Sequence, residues 1–122
     1  MNELHPIDKA IAAHGWWKSH LREAINSGES DQTVDEVRAD DRCEFSRWLR
    51  ERPDGDKASE HFRTVCELHT RFHEEAAHVL ELARAKKVEA ANAAMAIGSP
   101  FASVSAKLTS AMVAWKLALG GE

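Results

Sequence analysis

The 122 residues fit one domain, and 16 Lys and Arg against 20 Asp and Glu give a formal charge of −4. No basic run extends beyond Lys86-Lys87, which argues against a nucleic-acid footprint. The opening MNELHPIDKA holds no apolar leader and no stretch approaches ~18 uninterrupted apolar residues, so the expectation is a cytoplasmic protein with neither signal peptide nor membrane span. Cys43 and Cys66 make no disulfide framework, and reduced thiols are expected.

The first predicted helix runs from Pro6 or Ile7 to about Asn26, since proline suits a first helical turn. Ile7, Ile11, His14, Trp17, Leu21 and Ile25 recur three or four residues apart and share a face. His14 stands mid-face, where an apolar residue is expected. NSGESD (26–31) reads as a loop, and Thr33 as a cap for a short turn over VDEVRA. A brief helix follows over RCEFSRWLRE, capped by Asp40 or Asp41, with Cys43 in its first turn and Phe45, Trp48 and Leu49 as buried candidates. RPDGD (52–56) predicts a turn.

A long helix is predicted from about Lys57 to the low nineties, with Ala58, Phe62, Val65, His69, Phe72/His73, Ala76, Leu80 and Ala83 as its stripe. Gly98 stops it, Ser99 caps the next helix and Pro100 opens it. Phe101, Val104, Leu108, Met112, Trp115 and Leu119 share one face of that last helix. Strand signal is almost absent. The sum is an all-α, four-helix-type bundle of three long helices and one short one, a single domain over 1–122.

Seven histidines are a large complement for this length, and their positions decide what they mean. His69 and His73 lie four residues apart, about 6 Å along a helix, so their imidazoles can converge on one ion. His14 points inward from another helix, and Cys43 begins a third. Three imidazoles and one thiolate suit tetrahedral Zn²⁺. The plainer reading is a set of hydrogen-bonded core histidines, because a buried imidazole otherwise needs its own partner at a cost of about 1–3 kcal/mol. Cys66 shares the His69 face and competes with Cys43, although a buried cysteine packs readily as a small hydrophobe. His5, His20, His61 and His78 read as solvated.

ELHTRFHEEAAH nearly spells the zinc-peptidase pattern H-E-x-x-H, but His78 comes one residue late. A hydrolase also needs an open metal position and a base, and Glu74 is the only tempting one. A di-iron bundle would need inward carboxylates, whereas Lys18 and Ala77 stand four residues beyond His14 and His73. The chain is therefore not expected to be an enzyme. A metal-free helical interaction module remains open.

HGWWKSHL (14–21), CEFSRWL (43–49) and HTRFH (69–73) resemble the three signature segments of the chemoreceptor zinc-binding, or CZB, domain family: H-x-x-W-K-x-x-L, C-x-F-G-x-W-L and H-x-x-x-H. The resemblance covers about residues 7–83, and the segment over 100–119 resembles the last helix of longer members. It implies that His14, Cys43, His69 and His73 hold Zn²⁺. It implies a helical bundle, commonly a homodimer, serving as a cytoplasmic sensor module of chemoreceptors or diguanylate cyclases. It further implies oxidant sensing at the zinc-bound Cys43, by conversion to a sulfenic acid under an oxidant such as hypochlorous acid. The pattern's glycine is replaced by Ser46, which bears on local packing. No signalling output domain is apparent, so either a stand-alone member or an excised domain is expected.

Overall fold

The computed structural model describes residues 5–30, 33–38 and 44–119. Helix α1 spans Pro6–Ser27. His5 caps it, its Nδ1 accepting the Ile7 N–H at 3.0 Å, and its half-buried ring meets Trp48 edge-on. That overturns the solvated reading of His5. Histidine is an uncommon cap, but an unprotonated imidazole nitrogen accepts as a serine oxygen does. Gly28 ends the helix at φ 75°, where a side chain would be strained, and donates its N–H to the Ala24 carbonyl. Ile7, His14, Leu21 and Ile25 are buried as the spacing predicts, while Ile11 and Trp17 are half-buried.

Thr33 does cap α2 (Val34–Arg38). Its hydroxyl accepts the Glu36 N–H at 3.1 Å while the Glu36 carboxylate accepts the Thr33 N–H at 2.8 Å, a reciprocal capping box. Helix α3 spans Glu44–Arg50, with Phe45, Ser46 and Leu49 buried and Trp48 half-buried. The expected Asp40 or Asp41 cap and Cys43 lie outside the described residues. The predicted turn after α3 winds into a single helical turn, α4 (Asp54–Lys57).

Helix α5 (Glu60–Arg84) starts slightly later than expected, because Ser59 supplies the cap and accepts the Phe62 N–H. Ala58 is consequently exposed and off the stripe. Val65, His69, Phe72, His73, Ala76, Leu80 and Ala83 are buried. The long helix does not run unbroken into the nineties. It closes at Lys86, which adopts φ 61°. The Lys87 N–H reaches the Leu82 carbonyl and the Lys86 N–H that of Ala83, each at 3.0 Å. This pair of bonds is a Schellman motif, with lysine in the left-handed position usually held by glycine. A separate helix, α6 (Val88–Met95), follows.

Gly98 adopts φ 89°, and Ser99 caps α7 (Pro100–Ala118), accepting the Ala102 N–H. Phe101, Val104, Leu108, Met112 and Trp115 are buried as predicted, but Leu119 is 41% exposed. Helix α5 is the centre of the bundle and packs against α1, α2, α6 and α7. Trp115 meets Trp48 of α3 and Phe62 of α5, with ring centroids 5.3 and 5.9 Å away, so one large side chain joins three helices. A Lys116–Asp8 ion pair at 2.7 Å ties α7 to the first turn of α1. The bundle is all-α, and no helix of the described residues is long and apolar enough to cross a membrane.

Candidate metal centre

His69 and His73 lie one helical turn apart on the face of α5 that turns inward, and His14 approaches from α1. All three are nearly buried, at 2%, 5% and 4% exposure. One nitrogen of each ring lies within 4.8 Å of one nitrogen of each of the other two. The tightest approach is Nε2 of His69 to Nε2 of His73, at 3.1 Å. The rings cross almost perpendicularly, at 89°.

The remaining nitrogens of the α5 pair have partners of their own. Nδ1 of His73 donates to the Val37 carbonyl at the end of α2, at 2.9 Å. Nδ1 of His69 faces the Ser46 hydroxyl of α3 at 3.4 Å. Turning the outer nitrogen toward a partner fixes the ring and aims Nε2 at the common point. Three elements besides α1 therefore orient this cluster: α5 supplies two rings, and α2 and α3 hold them.

Around the imidazoles the wall is aromatic. Phe45 meets His69 edge-on at 5.2 Å, and Phe72 meets His14 at 4.7 Å. An apolar wall excludes water and strengthens bonds made inside it. Beside His14, a mostly apolar cavity of about 200 Å³ lies between α1 and α3, lined in part by Ala10, Phe45 and Trp48. Among the described residues no carboxylate joins the three imidazoles. The donor set suits a borderline divalent ion such as Zn²⁺ and does not suit Mg²⁺ or Ca²⁺, which take oxygen ligands.

The other candidates fall elsewhere. His61 and His78 are exposed, as expected, and so is Glu74. A base for metal-assisted hydrolysis would have to face the cluster. His20 is half-buried, stacked on Trp16 at 4.7 Å and bonded to the Ser30 hydroxyl at 3.1 Å. Cys66 is half-buried on α5. It does not belong to the imidazole cluster.

A family model, that of the chemoreceptor zinc-binding domain, matches residues 14–80. The chain belongs to the CZB family. The matched span opens on His14 and takes in both α5 histidines and the segment that carries Cys43. Comparison with curated proteins and with solved structures gives no match. Zinc binding in a signalling setting is what the family stands for, and the matched span contains the three imidazoles that could hold a metal ion. Ser46 and Val37 are the parts of the site that reading the sequence missed as partners. A serine inside a short helix is a visible clue, but a backbone carbonyl has no sequence signal at all.

Proposed function

We propose that this CZB domain is a regulatory module that binds one Zn²⁺ through His14, Cys43, His69 and His73. The observation that carries the reading is the convergence of three buried imidazoles from two helices within 4.8 Å. Cys43 is the fourth ligand on the family motif, and it directly precedes α3, whose Ser46 faces His69. Zinc supplies a fixed tetrahedral junction and, with four protein ligands, no open position for a substrate water. His14 ties α1 to the junction, and the α5 pair brings α2 and α3 with it through Val37 and Ser46. Occupancy thereby sets how these helices pack, and a partner can read that packing.

The test is metal content. Protein purified without chelator should carry one zinc per chain, and the His69→Ala/His73→Ala variant should carry none. A Cys43→Ser chain should retain zinc more weakly. An absence of metal in the unaltered chain would sink the reading and leave a metal-free interaction module. Acid should release the ion, because the imidazoles and the thiolate must be unprotonated to bind.

The domain acts as a homodimer attached to a signalling output in this reading. Exposed apolar side chains on α1 and α7 support that: Trp16 is 54% exposed, Val113 45% and Leu117 68%. Oxidant sensing at Cys43 makes a further demand on the same site. Mild hypochlorous acid should modify Cys43 and release zinc, and mass spectrometry finding Cys66 oxidised with Cys43 intact would rule that out.

A further inference from the structure

The hydrogen bonds of the imidazole pair run in a line through three elements: Ser46 Oγ, His69, His73, then the Val37 carbonyl. One end of the line is fixed. A carbonyl only accepts, so Nδ1 of His73 carries the proton and its Nε2, with the ring neutral, presents a lone pair. Nε2 of His69 stands 3.1 Å from that nitrogen. Two lone pairs at this distance repel, so something positive must lie between them, either a proton or a metal ion.

Each case requires a different tautomer of His69. With a proton between the rings, His69 carries it on Nε2 and leaves Nδ1 as an acceptor. With an ion between them, Nε2 gives its lone pair and the proton of the neutral ring sits on Nδ1. The atom facing Nδ1 must then donate in the first case and accept in the second. The Val37 carbonyl could not do both. A hydroxyl can, because it has one O–H donor and two lone pairs and its hydrogen rotates freely.

We propose that Ser46 is a positioning residue that serves both forms of the site. Its hydroxyl donates to Nδ1 of His69 when the imidazole pair shares a proton, and it accepts from Nδ1–H when the pair holds zinc. The proton of His69 changes nitrogen, none is gained or lost by that ring, and Ser46 reverses its bond. Apolar surroundings make the hydroxyl matter: Ser46 and His69 are 7% and 2% exposed, and Phe45 borders His69. This inference rests on the zinc reading above for its accepting half.

Imidazole ¹⁵N NMR on the full chain, with chelator and then with one equivalent of zinc, reads the tautomer directly. The unaltered protein should show His69 protonated on Nε2 with chelator and on Nδ1 with zinc. Ser46→Ala should leave these tautomers in place, since the Val37 carbonyl and the close pair of nitrogens set them, but should weaken zinc binding by about tenfold because Nδ1–H of His69 loses its acceptor. Ser46→Thr, which keeps the hydroxyl, should restore the affinity. Comparison by circular dichroism separates this effect from loss of fold. The role is overturned if His69 carries its proton on Nδ1 in both forms of the unaltered chain. It is also overturned if folded Ser46→Ala matches the unaltered chain in zinc affinity, or if folded Ser46→Thr behaves as Ser46→Ala does. A chain that takes up no zinc overturns the zinc reading together with this two-way role. A chain that takes up zinc normally with an indifferent Ser46 overturns this role alone.

Discussion

His73 has two tasks at two nitrogens, and they can be separated by experiment. Its Nε2 belongs to the imidazole cluster, while its Nδ1 holds the buried Val37 carbonyl. Removing the ring therefore does more than remove a candidate ligand. His73→Ala should destabilise the protein even with chelator present, by about 1–3 kcal/mol, because the Val37 carbonyl loses its partner. Urea unfolding of both chains in chelator measures this, and equal midpoints would contradict it. The inward direction of His14, His69 and His73 was legible in the sequence, since each falls on an apolar stripe. Their partners were not. Ser46 reaches His69 across 23 residues and Val37 reaches His73 across 36, and helical periodicity reports only neighbours three or four residues away.

At the scale of elements some caps were readable, although those at His5 and Ser59 were not. Thr33, Ser99 and Pro100 stand where their chemistry places them, because capping is decided within four residues. The break between α5 and α6 was invisible, since HVLELARAKKVEAANAAM holds neither glycine nor proline. Its signal would have been a residue tolerant of left-handed backbone, and lysine is not one. Lys86 carries that strain at φ 61°. Lys86→Gly should remove it, a gain of at most about 1 kcal/mol once the greater freedom of glycine in the unfolded chain is set against it. The readout is a higher thermal midpoint with no change in zinc content. A fall would mean that the Lys86 stem, which passes over Gly28, contributes more by packing than the backbone loses. Helix α2, at five residues, is far too short to persist alone. It depends on its capping box and on the burial and bonding of Val37.

For the whole molecule, the bundle was predictable because buried faces on α1, α5 and α7 repeat at helical period. What periodicity does not give is how much of the outside is also apolar. Trp16, Val113 and Leu117 remain exposed on the long helices, and Leu119 just past the end of α7. If they form the proposed dimer surface, Trp16→Ala/Leu117→Ser should shift the sedimentation mass toward monomer while leaving zinc content intact. A monomeric unaltered chain would contradict that assembly. A domain of this size buries a modest core, and a metal bound only by the folded form adds stability through its own affinity. Stripping zinc with chelator should therefore lower the thermal midpoint by several degrees, and adding zinc back should restore it. No change on stripping would mean that the imidazoles are held by their hydrogen bonds alone.

The bond from His73 to the Val37 carbonyl makes α2 and the imidazole pair reciprocal. If the pair holds the proposed zinc, any factor by which an ordered α2 tightens that grip is also the factor by which the ion favours an ordered α2. A protein that clasps the outer face of this five-residue helix would thus raise metal affinity without touching a ligand. One that pulls the helix away would make the domain a metal donor.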